Sequence, residues 1–178
     1  VSTANCDFTD PLALHAIKMI QNDLVDSYNG DMAKRDSMHN AQCLAGMAFS
    51  NVGLGVDHGM AHPMSALHDV PHGVACAILL PTVMRFNMEV SVPKYVQIAK
   101  VVGVYKDGMT DQEAAEAACN AIEELSKLVG IPQHLSELGI TEADIPALAE
   151  QAFTDVCTPG NPREVSKEDI IALYHKIL

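Results

Sequence analysis

Apolar residues recur at helical spacing through nearly the whole chain, and no run between turn signals alternates with period two. That pattern leaves one fold class, an all-α multi-helix bundle with little or no sheet. Thr9-Asp10-Pro11 offers a cap and a proline for a first helix whose face is Leu12, Ala16, Ile17, Ile20 and Leu24, ended by Asn29-Gly30. A second helix spans about Met32 to Val52, and its Ala41, Ala45, Gly46 and Ala48 allow a close neighbour. Gly53-Leu54-Gly55 breaks it. A short helix follows from about Val56, kinked at Pro63, which has no N–H to donate. Val70-Pro71 opens the next, His72 to about Phe86, apolar on every side as a central helix would be. Ser91, Val92 and Pro93 start another that ends at Gly103. Thr110 with Glu113 forms a capping box, and Thr141 with Asp144 and Ser166 with Asp169 are its acidic variants. The methionines sit mainly at helical spacing and are expected in the core.

Length and charge narrow the function classes. At 178 residues the chain fits one domain with a sizeable core. Its net charge of −12 provides no phosphate-neutralising surface, which argues against a nucleic-acid partner. The longest uncharged apolar run, Gly73 to Met84, falls short of the roughly 20 residues of a membrane span, and no secretory signal is visible, so no membrane partner is expected. The five cysteines lack paired spacing, as in a reducing, cytoplasmic setting. Residues 107–178 hold 14 acidic and 4 basic side chains, so that half reads as solvated acidic helix faces. The start at Val1-Ser2-Thr3, without an initiator Met, reads as the interior of a longer chain.

The nearly neutral half carries the chemistry. Four of the eight histidines, His58, His62, His68 and His72, fall within fifteen residues. Imidazole is the commonest nitrogen ligand for a divalent metal, and several converging make a site. Spacing alone favours His58 and His62, at i and i+4 on one helical face. A zinc hydrolase of that spacing would place Glu directly after the first His as general base, and this chain has Gly59 there. The bland alternative is a set of helix-end histidines bonded to carbonyls. His15, His39, His134 and His175 stand alone and receive no role. Asn161-Pro162-Arg163 reads as a capped loop rather than a phosphate contact.

The segments Gly53-Leu54-Gly55, His58-Gly59-Met60-Ala61-His62, Pro71-His72-Gly73-Val74-Ala75, Leu79-Leu80-Pro81 and Val156-Cys157-Thr158-Pro159-Gly160-Asn161-Pro162-Arg163-Glu164 resemble the iron-containing (group III) alcohol dehydrogenases. The resemblance runs from the first helix to Leu178 and implies that residues 1–178 are the C-terminal, metal-binding helical domain. It implies that His58 and His72 are two ligands of a single Fe2+, sometimes replaced by zinc, and that His62 lies in the pocket without ligating. His68 departs from the family's usual aromatic and reads as rim. Phe49, Leu54 and Cys157 match positions lining the substrate and cofactor cleft. Further ligands, and the fold that binds NAD(H) or NADP(H), would belong to an N-terminal α/β domain upstream of Val1. The implied reaction is hydride transfer between the nicotinamide and small alcohols or aldehydes, such as 1,2-propanediol and lactaldehyde. His62 would relay the proton, and the assembly would be at least a homodimer. The 178 residues alone are expected to be inactive. The competing reading is a non-catalytic helical module that binds a metal or a partner through the same cluster.

Overall fold

Helical periodicity becomes seven α-helices and no strand in the computed structural model, which describes every residue from Val1 to Leu178. They are α1 (Thr9–Tyr28), α2 (Met32–Val52), α3 (Val56–His68), α4 (His72–Val101), α5 (Asp111–Leu128), α6 (Ile145–Thr154) and α7 (Lys167–His175). Short 3-10 turns occupy Leu135–Leu138, Glu142–Asp144 and Thr158–Gly160. The chain divides into two units, Thr3–Gly53 with Ser91–Val129 and Leu54–Val90 with Gly130–Leu178.

In the first unit α1 packs along α2. Asp31 caps α2 by accepting the N–H groups of Ala33 and Lys34, and Gly30 turns the chain at φ 102°. Lys34 and Ser37 on α2 both donate to Asp23 on α1, the lysine at 2.6 Å. Small side chains at Ala16, Ala41 and Ala48 are buried. Val96 and Ala99 of α4 join Ala114 and Ala118 of α5 in a compact apolar cluster.

The second unit holds the larger core. Met60, Met64, Leu79, Leu148, Ile170 and Tyr174 are essentially inaccessible. α3 packs on α6, and α6 on α7. The Tyr174 hydroxyl, from α7, donates to the Met60 carbonyl at 2.7 Å, next to the turn where Pro63 interrupts the backbone ladder.

Several expectations change. The two helices read as His72–Phe86 and Ser91–Gly103 are one continuous helix, α4. Phe86, Asn87, Met88 and Ser91 are buried across the expected break, and that packing outweighs the single hydrogen bond that Pro93 forfeits. α4 is therefore long and apolar enough to cross a membrane by length and composition, unlike the shorter run read from sequence, although half of its most apolar window is buried within the protein. It is not apolar-buried on all sides either, since Leu80 is exposed. α1 starts at Thr9 rather than after it, and Thr9 Oγ1 bonds back to Cys6. Met60, Met64, Met84 and Met88 are core, whereas Met32 and Met47 are exposed.

Two close approaches fix the site's surroundings. A Cβ on Gly160 would be driven into the Leu54 carbonyl oxygen, and one on Gly55 would press on Asn161. Gly160→Ala therefore forces two backbone segments apart and should cost about 2 kcal/mol or more, read as a lower urea midpoint at unchanged slope. Gly46→Ala, with nothing within 4 Å of the new methyl, should instead be neutral or stabilise by up to about 1 kcal/mol.

Four helix starts also depend on carboxylates. Hydrogen bonds from the Thr110 backbone, the His134 backbone, the Thr141 hydroxyl and the Ser166 hydroxyl hold Glu113, Glu137, Asp144 and Asp169, respectively, below their ordinary range. A carboxylate lowered on folding contributes stability above its unfolded pKa and loses it as pH falls through the folded value. The melting temperature should thus fall on acidification below about pH 4. Thr110→Ala keeps the backbone N–H but removes the hydroxyl that also donates to Glu113, and should therefore flatten that decline in part in pH-series melts.

Candidate metal centre

α3 cannot cap itself, because its first flanking residue is Gly55. The cap comes from far along the chain, where Asn161 Oδ1 accepts the Val56 N–H at 3.4 Å. From that start His58 and His62 fall one turn apart on α3. Asp69, in the left-handed region at φ 53°, ends the helix, and Val70-Pro71 delivers His72 as the first residue of α4. The outcome is a triangle of imidazoles. Ring centroids lie 5.2 Å apart for His58 and His72, 5.5 Å for His62 and His72, which stack, and 6.0 Å for His58 and His62.

Two donor sets emerge. Ligand atoms of His58, His72 and Cys76 lie within 4.8 Å of one another, as do those of His62, Asp155 and Cys157. A divalent ion with bonds of about 2.1 Å to nitrogen holds its ligands roughly 3.5 Å apart, so small side-chain rotations close the first set around an ion. The donor chemistry suits iron or zinc. Burial lowers the His58 pKa, and neighbouring His72 and His62 lower it further, which favours the neutral form that a cation requires. Beside it, burial raises Asp57 to about 7, opposed by a hydrogen bond from Cys76, and its Oδ1 is buried without a hydrogen-bond partner. Burial and then Asp57 raise the Cys76 thiol to about 12, and its sulfur sits 3.6 Å from His72 Nε2.

His62 has a different partner. Its Nδ1 lies 2.8 Å from Asp155 Oδ2, while Asp155 Oδ1 accepts the Cys157 N–H at 2.8 Å. Burial raises the Asp155 carboxyl, but these hydrogen bonds outweigh it and leave the pKa below the ordinary value.

The residues singled out by sequence do not all meet. His58, His62 and His72 converge, and Cys157 is half-buried beside His62 and Asp155. Leu54 is half-buried in the same unit, and Phe49 is 43% exposed in the last turn of α2, in the other unit. His68 stands outside both donor sets and faces Asp144 at 3.9 Å. A side chain at position 59 would collide with Thr158, so the helix has no room for a hydrolase-type Glu there. Asn161 and Arg163 have structural work: Arg163 donates to the Phe86 carbonyl at 2.8 Å and lies over the Phe86 ring. Sequence reading missed Asp57, Cys76 and Asp155. Cys76 was visible as the i+4 partner of His72, whereas Asp155 meets His62 across 93 positions and left no local signal.

Residues 1–178 match the family model described as "Fe-containing alcohol dehydrogenase family, C-terminal". The chain is 52% identical over 167 residues to lactaldehyde reductase of Escherichia coli strain K12, covering 94% of this chain and 44% of that protein. It is 42% identical to 1,3-propanediol dehydrogenase of Citrobacter freundii, with 94% of this chain and 44% of that protein covered. A crystal structure of 1,3-propanediol oxidoreductase superposes with a TM-score of 0.97 at 40% identity, covering 99% of this chain and 47% of that one. The chain thus spans somewhat less than half the length of these relatives. With an all-helical fold, a triangle of imidazoles and this match over its whole length, the chain belongs to the Fe-containing alcohol dehydrogenase family, as its C-terminal helical part.

Proposed function

We propose that this chain is the metal-binding half of an NAD(P)-dependent alcohol dehydrogenase that interconverts small alcohols and aldehydes, 1,2-propanediol and lactaldehyde among them. The observation that carries the reading is the convergence of His58 and His72, from successive helices, on one another. In this reading they hold Fe2+, with zinc as a substitute. Bound there, the ion supplies Lewis-acid polarisation of an alcohol or carbonyl oxygen. Two imidazoles do not complete a coordination shell, so the remaining ligands come from an N-terminal domain that also binds the nicotinamide. His62 takes up the proton lost on alcohol oxidation and returns it on aldehyde reduction. Leu54 and Cys157, in the same unit as the histidines, line the cleft for a short aliphatic substrate. Similarity to lactaldehyde reductase over 94% of the chain supports that substrate class. The assembled enzyme is cytoplasmic and at least dimeric.

Metal affinity tests the ligand assignment directly. In Co2+ titrations of the chain, His58→Ala and His72→Ala should each weaken binding by about tenfold or more, because a ligand is removed outright. His68→Ala should leave it unchanged. Equal affinities across all three variants would remove these histidines from the ligand set.

Activity tests the rest. The 178-residue chain alone should not oxidise NADH with lactaldehyde, whereas joined to the N-terminal half of a relative it should do so with added Fe2+. Turnover by the isolated chain would overturn the division of labour between the two halves.

A further inference from the structure

The His62 imidazole meets a carboxylate at one of its two nitrogens. Its Nδ1 lies 2.8 Å from Asp155 Oδ2, on a side chain with only 16% of its surface exposed. The carboxylate is itself pinned, because Oδ1 accepts the Cys157 N–H at 2.8 Å in a turn that ends α6. An ionised carboxylate only accepts, so opposite Asp155 the hydrogen lies on Nδ1, and a neutral ring then leaves its lone pair on Nε2. The ring plane is constrained as well, since His62 stacks on His72 at an interplanar angle of 21°.

We infer that Asp155 is a positioning residue that holds His62 in the Nδ1–H tautomer, presenting Nε2 as the proton acceptor. The catalytic part of this inference rests on the proposed function, whereas the pairing itself does not. In alcohol oxidation Nε2 would take the hydroxyl proton, and a bound nicotinamide would supply the hydride acceptor, so that the carbon–oxygen bond becomes a carbonyl. Reduction reverses each transfer. Without the carboxylate the imidazole can carry its hydrogen on Nε2, where it has no lone pair to accept with.

Asp155 belongs to no motif of chemical spacing, and its neighbours explain why it is rigid. Thr158 Oγ1 donates to the Ala152 carbonyl at 2.7 Å, closing the turn that follows α6. Gly160 seats the same turn against the Leu54 backbone. The carboxylate thus comes to His62 on a braced loop, which a chance surface ion pair would not require.

Long-range nitrogen–proton NMR on the histidine-labelled, metal-free chain reads the tautomer directly. His62 should show a protonated Nδ1 and a bare Nε2 in the parent chain. Asp155→Asn should move it toward Nε2–H, with the His58 and His72 signals and the melting temperature little changed. An Nε2–H tautomer in the parent, or no change in Asp155→Asn, would overturn the pairing. In the chain joined to an N-terminal half, Asp155→Asn should lower kcat by about a hundredfold with KM within about twofold, and should add little in a His62→Ala background. Additive losses, or a KM effect alone, would overturn the positioning role. If the tautomer shifts but neither variant changes kcat, the proton-relay reading of His62 fails and the pairing stands.

Discussion

The candidate centre depends on one buried side-chain amide. Asn161, 6% exposed, accepts from the Val56 N–H and from Asn87 Nδ2, and donates to Asn87 Oδ1 and to the Arg163 carbonyl. Each group left unpaired in such a setting costs about 1–3 kcal/mol, so the network admits few alternatives to its present geometry. Through it the start of α3, the middle of α4 and the loop after α6 are tied at one point. The histidines of α3, the histidine heading α4 and the aspartate of the loop are positioned by those three elements.

Glycine makes the junction possible. The loop after α6 lies on Leu54 and Gly55 closely enough that Gly160 and Gly55 cannot carry side chains without displacing their neighbours. Gly59 does the same one turn later, where Thr158 fills the space a side chain would take. The hydrophobic core thus supplies stability, while backbone-to-backbone contact sets position. A site that must bring imidazoles and a carboxylate within hydrogen-bonding range tolerates less error than apolar packing alone guarantees.

Around the imidazoles two carboxylates of equal exposure, each side chain 16% accessible, behave differently. Asp57 is half-buried beside Cys76 with Oδ1 buried and unpaired, and desolvation raises its pKa to about 7. Asp155 is hydrogen-bonded on both oxygens and sits below the ordinary range. Two carboxylates near the same cluster therefore differ in the ease with which they ionise. The difference follows from the number of donors each one meets, since the residue type is the same.

Helical class, the breaks at Asn29-Gly30 and Gly53–Gly55, the capping box at Thr110 and the histidine cluster were all legible in the sequence, because each is set by contacts within a turn or two of chain. The separation of α4 into two helices was misread, since Pro93 and Ser91 are local stop signals that burial around Phe86 and Asn87 overrides. Spacing by itself paired His58 with His62, and it could not show that His72 closes on both. Resemblance to a family supplied that pairing in advance, residue by residue, without giving the reason for it. What the residues determine alone is therefore the set of helices and the kind of chemistry available, through periodicity, caps and side-chain type. Tertiary packing decided which of those groups meet across elements: Asn161 with Val56, Asp155 with His62, and Cys76 with Asp57. Contacts of the first two kinds span about a hundred residues, and no local spacing rule reaches that far, because they exist only once the helices are packed.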